Sequence, residues 1–100
     1  MTRDLLEELE IWYLKQCDGD WEHTYGTKLD TLDNPGWRLS IDLAGTKLGM
    51  APMNQIEIHR TDHDWVVVRR EGDKFVGYCG PQNLREMLTM FLDYAKQYSV

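Results

Sequence analysis

Carboxylates gather around tryptophans at two points of the sequence. The first group is Asp18, Asp20, Trp21, Glu22 and His23, and the second is Asp33, Asn34 and Trp37. A tryptophan ring offers a large contact area, and carboxylates around it attract and orient the Lys and Arg side chains of a partner. Both groups are therefore predicted to bind a partner protein at a basic cleft. The alternative, that both tryptophans belong to the core and the acids only cap turns, stays open at this point.

Two histidines, His59 and His63, lie four residues apart with aspartates beside them. On one helix this spacing would place both imidazoles on the same metal ion. Here it spans the end of a strand and a turn, so we predict no metal site. Residues 18–23 carry several carboxylates, but they lack the glycine at the sixth position of a calcium loop and the glutamate at the twelfth. No cofactor is predicted.

The sequence contains no recognisable set of residues for covalent catalysis. It has neither the glycine-rich turn of a phosphate loop nor a nucleophile elbow around a serine. Cys17 and Cys79 are the only cysteines, and we interpret them as small core residues. We therefore predict a protein without enzymatic activity. The alternative is a small metal- or thiol-dependent hydrolase, for which the candidate residues are Cys17, Glu22, His59 and His63.

The charge of the chain is acidic and unevenly distributed. The formal net charge is −6 over 100 residues, and residues 4–33 hold nine Asp and Glu against two Lys. An acidic surface repels nucleic acids and anionic membranes and attracts basic partners. We therefore predict no direct contact with nucleic acid and none with a membrane. Acidity that serves only solubility is the alternative.

The amino-terminal segment predicts a cytoplasmic location. The first ten residues, MTRDLLEELE, are too acidic for a signal or transit peptide. The apolar runs elsewhere are much shorter than a membrane span. The two cysteines are accordingly expected to be reduced thiols.

Hydrophobic periodicity divides the chain into a helix, about five strands and a second helix. Apolar residues recur at helical spacing in residues 2–17 and again after Pro81, which suits the first position of a helix. From Trp21 onwards the period is two, and turn-forming residues separate the strands. The strands are expected at residues 29–32, 37–43, 56–60, 65–68 and 74–79. The fourth of them is expected to be buried on both faces or nearly so.

These elements predict one α+β domain over residues 1–100. Because short connections favour antiparallel neighbours, we expect an antiparallel sheet of about five strands in meander order. The N-terminal and C-terminal helices would pack on one face of the sheet. The other face would remain exposed, with the side chains of Arg38, Ser40, Asp42, Glu57 and His59. Function is expected on this face or on the acidic loop before it.

Two long stretches carry a family resemblance, CDGDWEH at residues 17–23 and TLDNPGW at residues 31–37. Supporting matches are Ile11-Trp12-Tyr13, Gln16, Tyr25-Gly26, Ile41-Asp42-Leu43, Asp64-Trp65, Phe75, Gly77 and Gly80-Pro81. Through these residues the chain resembles the immunity protein 53 family of bacterial polymorphic toxin systems. The resemblance implies an antitoxin without enzymatic activity that binds a cognate toxin directly in the cytoplasm of the producing cell.

The working hypothesis from the sequence is inhibition by occlusion. Many toxins of such systems are nucleases with basic active sites, so a nuclease is one candidate for the cognate partner. A compact acidic domain can cover a site of that kind. We expect a monomer, and a module that self-associates through a sheet edge is the remaining alternative.

Overall fold

The computed structural model describes residues 2–98. Along the chain its elements are α1 (Leu5–Gln16), α2 (Trp21–Thr24), β1 (Thr27–Leu32), β2 (Gly36–Asp42), β3 (Ile56–Thr61), β4 (Asp64–Glu71), β5 (Lys74–Cys79) and α3 (Leu84–Gln97). All strand pairs are antiparallel and belong to one sheet. The predicted α+β class, with five strands between an N-terminal and a C-terminal helix, is confirmed.

The order of strands in the sheet is β1-β2-β5-β4-β3. Tight hairpins join β1 to β2, β3 to β4 and β4 to β5, as the expected meander requires. The order departs from a continuous meander at one place, because β2 pairs with β5 and not with β3. The connection over residues 43–55 is too long for a hairpin, and it carries the chain to the far edge of the sheet.

The helices begin at polar residues. The side chain of Asp4 accepts a hydrogen bond from the backbone N–H of Glu7 at 3.0 Å and so caps α1. α3 begins at Leu84 with Asn83 as its N-cap residue, so the expectation that Pro81 opens this helix is wrong. Pro81 lies instead in the turn between β5 and α3.

Two further elements differ from the sequence prediction. Where period two was expected from Trp21, the chain forms the one-turn helix α2, because the side chain of Asp18 accepts hydrogen bonds from two backbone N–H groups ahead of it. β4 is not buried on both faces: Val66 and Val68 are fully buried, whereas Trp65 and Val67 on the other face are half-buried. The sequence does not reveal this difference between the two faces, because all four residues from Trp65 to Val68 are apolar.

One face of the sheet carries the core. α3 packs across β4 and β5, and α1 packs mainly on α3, with the ring of Trp12 5.0 Å from that of Phe91. α3 lies very close to β5 at Gly77, where an added Cβ would be 2.7 Å from the sulfur of Met87. The opposite sheet face has no helix over it among residues 2–98. Of the five residues expected to be exposed there, Glu57 and His59 are exposed and Arg38 and Asp42 are half-buried. Ser40 is buried, with 6% exposure.

Candidate functional site

The structure places the two predicted binding groups at opposite ends of β1. Asp18, Asp20, Trp21, Glu22 and His23 precede this strand, and Asp33, Asn34 and Trp37 follow it. The strand has six residues, which at about 3.3 Å per residue separates its ends by roughly 20 Å. The two groups therefore belong to two different surfaces.

The carboxylates of Asp18 and Glu22 organise the turn that carries them. Asp18 accepts hydrogen bonds from the N–H groups of Asp20 and Trp21, each at 3.0 Å. Glu22 reaches back to the N–H groups of Asp18 and Gly19, each at 2.9 Å. These backbone donors hold the pKa of both carboxyl groups below its ordinary value, the N–H of Trp21 being the main cause for Asp18 and the N–H of Glu22 itself for Glu22. Both side chains are thus anionic at neutral pH and fixed in place.

Trp21 belongs to the core. Only 5% of the residue is exposed, and its indole N–H donates to the carbonyl oxygen of Ala44 at 2.8 Å. Its ring lies edge-on to those of Trp12 and Tyr13, with centroids 6.2 Å away in each case. The ring is therefore covered in the folded protein, and the turn offers a partner the exposed side chains of Asp20 and His23 instead.

An apolar stripe on the outer side of α1 was missed by the sequence interpretation. Leu6 and Leu14 are 70% and 71% exposed, and Tyr13 between them is 41% exposed. The exposed carboxylates of Glu7 and Glu10 lie on the same side of the helix. The signal was present in the sequence: α1 has apolar residues on more than one side, and a single helix packing on a core needs only one.

The second group consists of a hairpin turn and a half-buried ring. Asp33 and Asn34 are exposed in the turn between β1 and β2. The indole N–H of Trp37 donates to the carbonyl oxygen of Pro81 at 3.0 Å and so joins β2 to the turn before α3. Asn34 also lines a shallow hollow of about 620 Å³ that reaches Trp65.

Residues at the start of β4 and of α3 form one polar network, which includes the motif residues Asp64 and Trp65. Asn83 is buried and donates to Asp64 at 2.9 Å and to Glu86 at 3.1 Å, while its oxygen accepts from the N–H of Trp65. Arg60 binds both carboxylates, at 2.8 and 2.6 Å. A Cβ on Gly80 would lie 2.6 Å from the Asn83 oxygen. These residues therefore serve the fold, because they anchor α3 to the end of the sheet.

The histidines do not converge on a common point. His59 stacks on Trp65 and bonds Glu57 at 2.9 Å, whereas His63 lies in the turn between β3 and β4. Within residues 2–98 no group of three or more His, Cys, Asp or Glu side chains is placed to hold a metal ion.

The two thiols should differ sharply in reactivity. Cys79 is fully buried on the core side of β5, and this burial raises the pKa of its thiol to about 11. Cys17 is half-buried at the end of α1. With Ellman's reagent at pH 8, we expect Cys79 in the native protein to react at least about a hundredfold more slowly than Cys17, and equally fast after denaturation. Similar native rates would show that the thiol of Cys79 is accessible in the folded protein.

The chain forms a small α+β domain with carboxylates and apolar side chains together on its surface. The motif residues Trp21 and Trp37, together with Asn83, hold the scaffold. The chain belongs to the immunity protein 53 family, whose family model matches residues 6–96. No curated protein and no solved structure matches the chain significantly. Membership of this family supports a role as an immunity protein. None of the helices within residues 2–98 has the length and apolar character that crossing a bilayer requires.

Proposed function

We propose that this protein neutralises a cognate bacterial toxin by direct binding in the cytoplasm, and that it does so without catalysis of its own. The contact surface would be the outer side of α1 together with the turn over residues 18–22, named here the acidic α1 surface. The observation that carries this proposal is the exposed apolar side chains of α1, with carboxylates among and beside them. A toxin with a basic active site, such as a nuclease, is the partner that this surface fits best.

The apolar stripe supplies contact area. Leu6, Tyr13 and Leu14 recur at spacings of seven and eight residues, so they lie along one side of α1 over about two turns. Exposed leucines of this extent are costly in water unless a partner covers them, since each buried side chain of this size contributes about 1.5–3 kcal/mol. An amphipathic helix that inserts its apolar side into a groove is a common mode of protein recognition.

The carboxylates would orient a basic partner and accelerate its association. Glu10 lies between Leu6 and Leu14 on this side of α1, and Glu7 lies beside them. Asp18, Asp20 and Glu22 continue the negative surface past the end of α1. The ring of Tyr13 joins the two parts, because it contacts Trp21 inside the turn. Opposite charges across an interface accelerate association, and salt weakens this effect. Since the pKa values of Asp18 and Glu22 are lowered, their charge is available throughout the neutral range.

Neutralising the turn without breaking it tests the proposal. The variant Asp18→Asn, Asp20→Asn, Glu22→Gln keeps an oxygen acceptor at each position, so all but one of the backbone hydrogen bonds of the turn are retained. The exception arises because both oxygens of Glu22 accept from the N–H of Gly19, and glutamine has one oxygen. At low salt, we expect its association rate with the inactivated toxin domain encoded beside its own gene to fall about tenfold. Stopped-flow or surface-plasmon kinetics at two salt concentrations measures this rate.

A matched control removes three carboxylates elsewhere. Asp62→Asn, Asp73→Asn and Asp93→Asn remove the same total charge from the two turns that join β3, β4 and β5 and from α3. This control is expected to associate at close to the wild-type rate. If both triple variants slow equally, net charge and not the acidic α1 surface controls association. If the wild-type protein does not bind this toxin domain, the proposed function fails.

A further inference from the structure

The sheet face without a helix carries a surface of a different kind from the acidic α1 surface. Alternation along the strands directs the side chains of Arg38, Trp65, Val67, Arg69 and Tyr78 to this side, and they are named here the open face. All five are half-buried, so they are ordered by their neighbours and still reachable. Tyr, Trp and Arg are the residue types most enriched among the dominant contacts of protein interfaces.

Two guanidinium groups flank one tyrosine ring at the centre of the open face. Tyr78 on β5 lies directly opposite Arg38 on β2 and Val67 on β4. The Arg38 guanidinium carbon is 5.8 Å from the ring centroid, and that of Arg69 is 5.7 Å away. Cation–π contact of this kind orders a guanidinium while leaving its N–H donors free for a carboxylate. The centre of the face is thus preorganised for anionic groups.

The cations of the open face differ in their partners. Arg69 is paired with Glu71 at 2.6 Å, and Lys74 at the rim is paired with Asp42 at 2.8 Å. Arg38 forms no ion pair with any residue in the described range 2–98. Asp30 lies directly opposite Arg38 on β1, but no ion pair joins the two side chains. The half-buried guanidinium of Arg38 therefore keeps N–H donors for a further carboxylate.

A second aromatic platform extends the face toward the hairpin turn. The rings of His59 and Trp65 are stacked, with centroids 6.4 Å apart and planes inclined by 15°. Both line the shallow hollow of about 620 Å³ that also reaches Asn34. Asn34, a residue of the second predicted group, thus borders the open face.

We infer that the open face binds an acidic segment of the cognate toxin, with carboxylates on Arg38 and Arg69 and apolar groups on Tyr78 and Trp65. This inference rests on the proposed function and adds a second contact surface to it. An acidic protein segment is favoured over nucleic acid because a nucleic acid presents a continuous row of phosphates, which the net charge of −6 and the carboxylates of Asp30 and Glu71 beside these arginines would repel. A protein segment instead presents a few carboxylates to a few fixed guanidinium groups.

The two surfaces can be separated by kinetics with the same inactivated toxin domain. We expect Arg38→Gln and Tyr78→Ala each to weaken binding about tenfold or more, mainly through faster dissociation, as loss of a central contact does. Tyr78→Phe keeps the ring and should stay within about threefold of the wild type. The matched control is Arg85→Gln, which removes one exposed cation from α3 and should leave binding unchanged.

Each outcome decides the inference. Circular dichroism confirms that a variant is folded, and if Tyr78→Ala is unfolded then Arg38→Gln alone decides. If the wild type binds the toxin and the open-face variants bind equally well, the inference is overturned while the proposed function stands. If the wild type does not bind, both fall together. A mixed-sequence single-stranded RNA is the counter-probe: at about 0.15 M salt we expect no binding, and binding that Tyr78→Ala abolishes would overturn the assignment to a protein segment.

Discussion

Gly36→Ala should lower the free energy of unfolding by about 3 kcal/mol or more, because the added methyl group has no space. Gly36 opens β2 directly after the hairpin turn, and a Cβ there would collide with the backbone carbonyl oxygen of Cys79 on β5. A carbonyl within a sheet cannot rotate away as a side chain can. The strands would have to separate at the point where β2 pairs with β5, the one pairing that departs from a meander.

The matched control for this substitution is Gly26→Ala. Gly26 lies before β1, a Cβ there meets no atom within 4 Å, and its backbone has no positive φ. We expect a change within about 0.5 kcal/mol, as for other surface positions. Urea unfolding followed by tryptophan fluorescence measures both, and for a domain of this size the difference corresponds to a melting temperature lower by roughly 12 °C or more in Gly36→Ala. Equal stability of the two variants would contradict the close approach of β2 and β5.

Much of the fold could be predicted from the sequence because its signals are local. The stripe of α3 and the strict alternation of β2 each depend on neighbours within a few residues, and both elements were expected close to their observed bounds. The path of residues 43–55 could not be predicted in this way. Strand order depends on whether β3 or β5 pairs with β2. No local sequence pattern within the connection indicates which of the two does so.

The candidate site was predictable in composition but not in position. The sequence identified acidic residues near tryptophans, yet it could not tell that Trp21 turns inward to bond Ala44 while Asp20 stays exposed. Tryptophan is common both in cores and at interfaces, so its type alone does not decide between them. The exposed sheet face and Arg38 on it were expected from the sequence, but the cluster of Arg38, Arg69 and Tyr78 was not. These three residues are distant in sequence and meet only through the strand register.

Arg70→Met should destabilise the protein by about 3 kcal/mol, because one guanidinium holds the long connection in place. Arg70 lies on the core side of β4 and donates to the carbonyl oxygens of Leu48 at 2.6 Å, of Ala51 at 2.8 Å, and of Gly49. Hydrogen bonds from charged donors contribute about 1.5–3 kcal/mol each, and methionine would leave several carbonyls in a partly buried loop without a donor. The connection that takes the chain past β5 to the far edge would lose its main polar anchor.

Its neighbour provides the control, since consecutive residues of a strand point to opposite faces. Arg69→Met removes the same charge but breaks only an exposed ion pair with Glu71 and a contact with Tyr78, so we expect a loss below about 1 kcal/mol. Urea unfolding compares the two variants, and amide hydrogen exchange should show faster opening of residues 43–55 in Arg70→Met alone. Uniformly faster exchange over the whole chain would mean that Arg70 supports general stability and not this connection. Faster exchange confined to residues 43–55 would show that this one charged side chain on β4 holds the long connection in place.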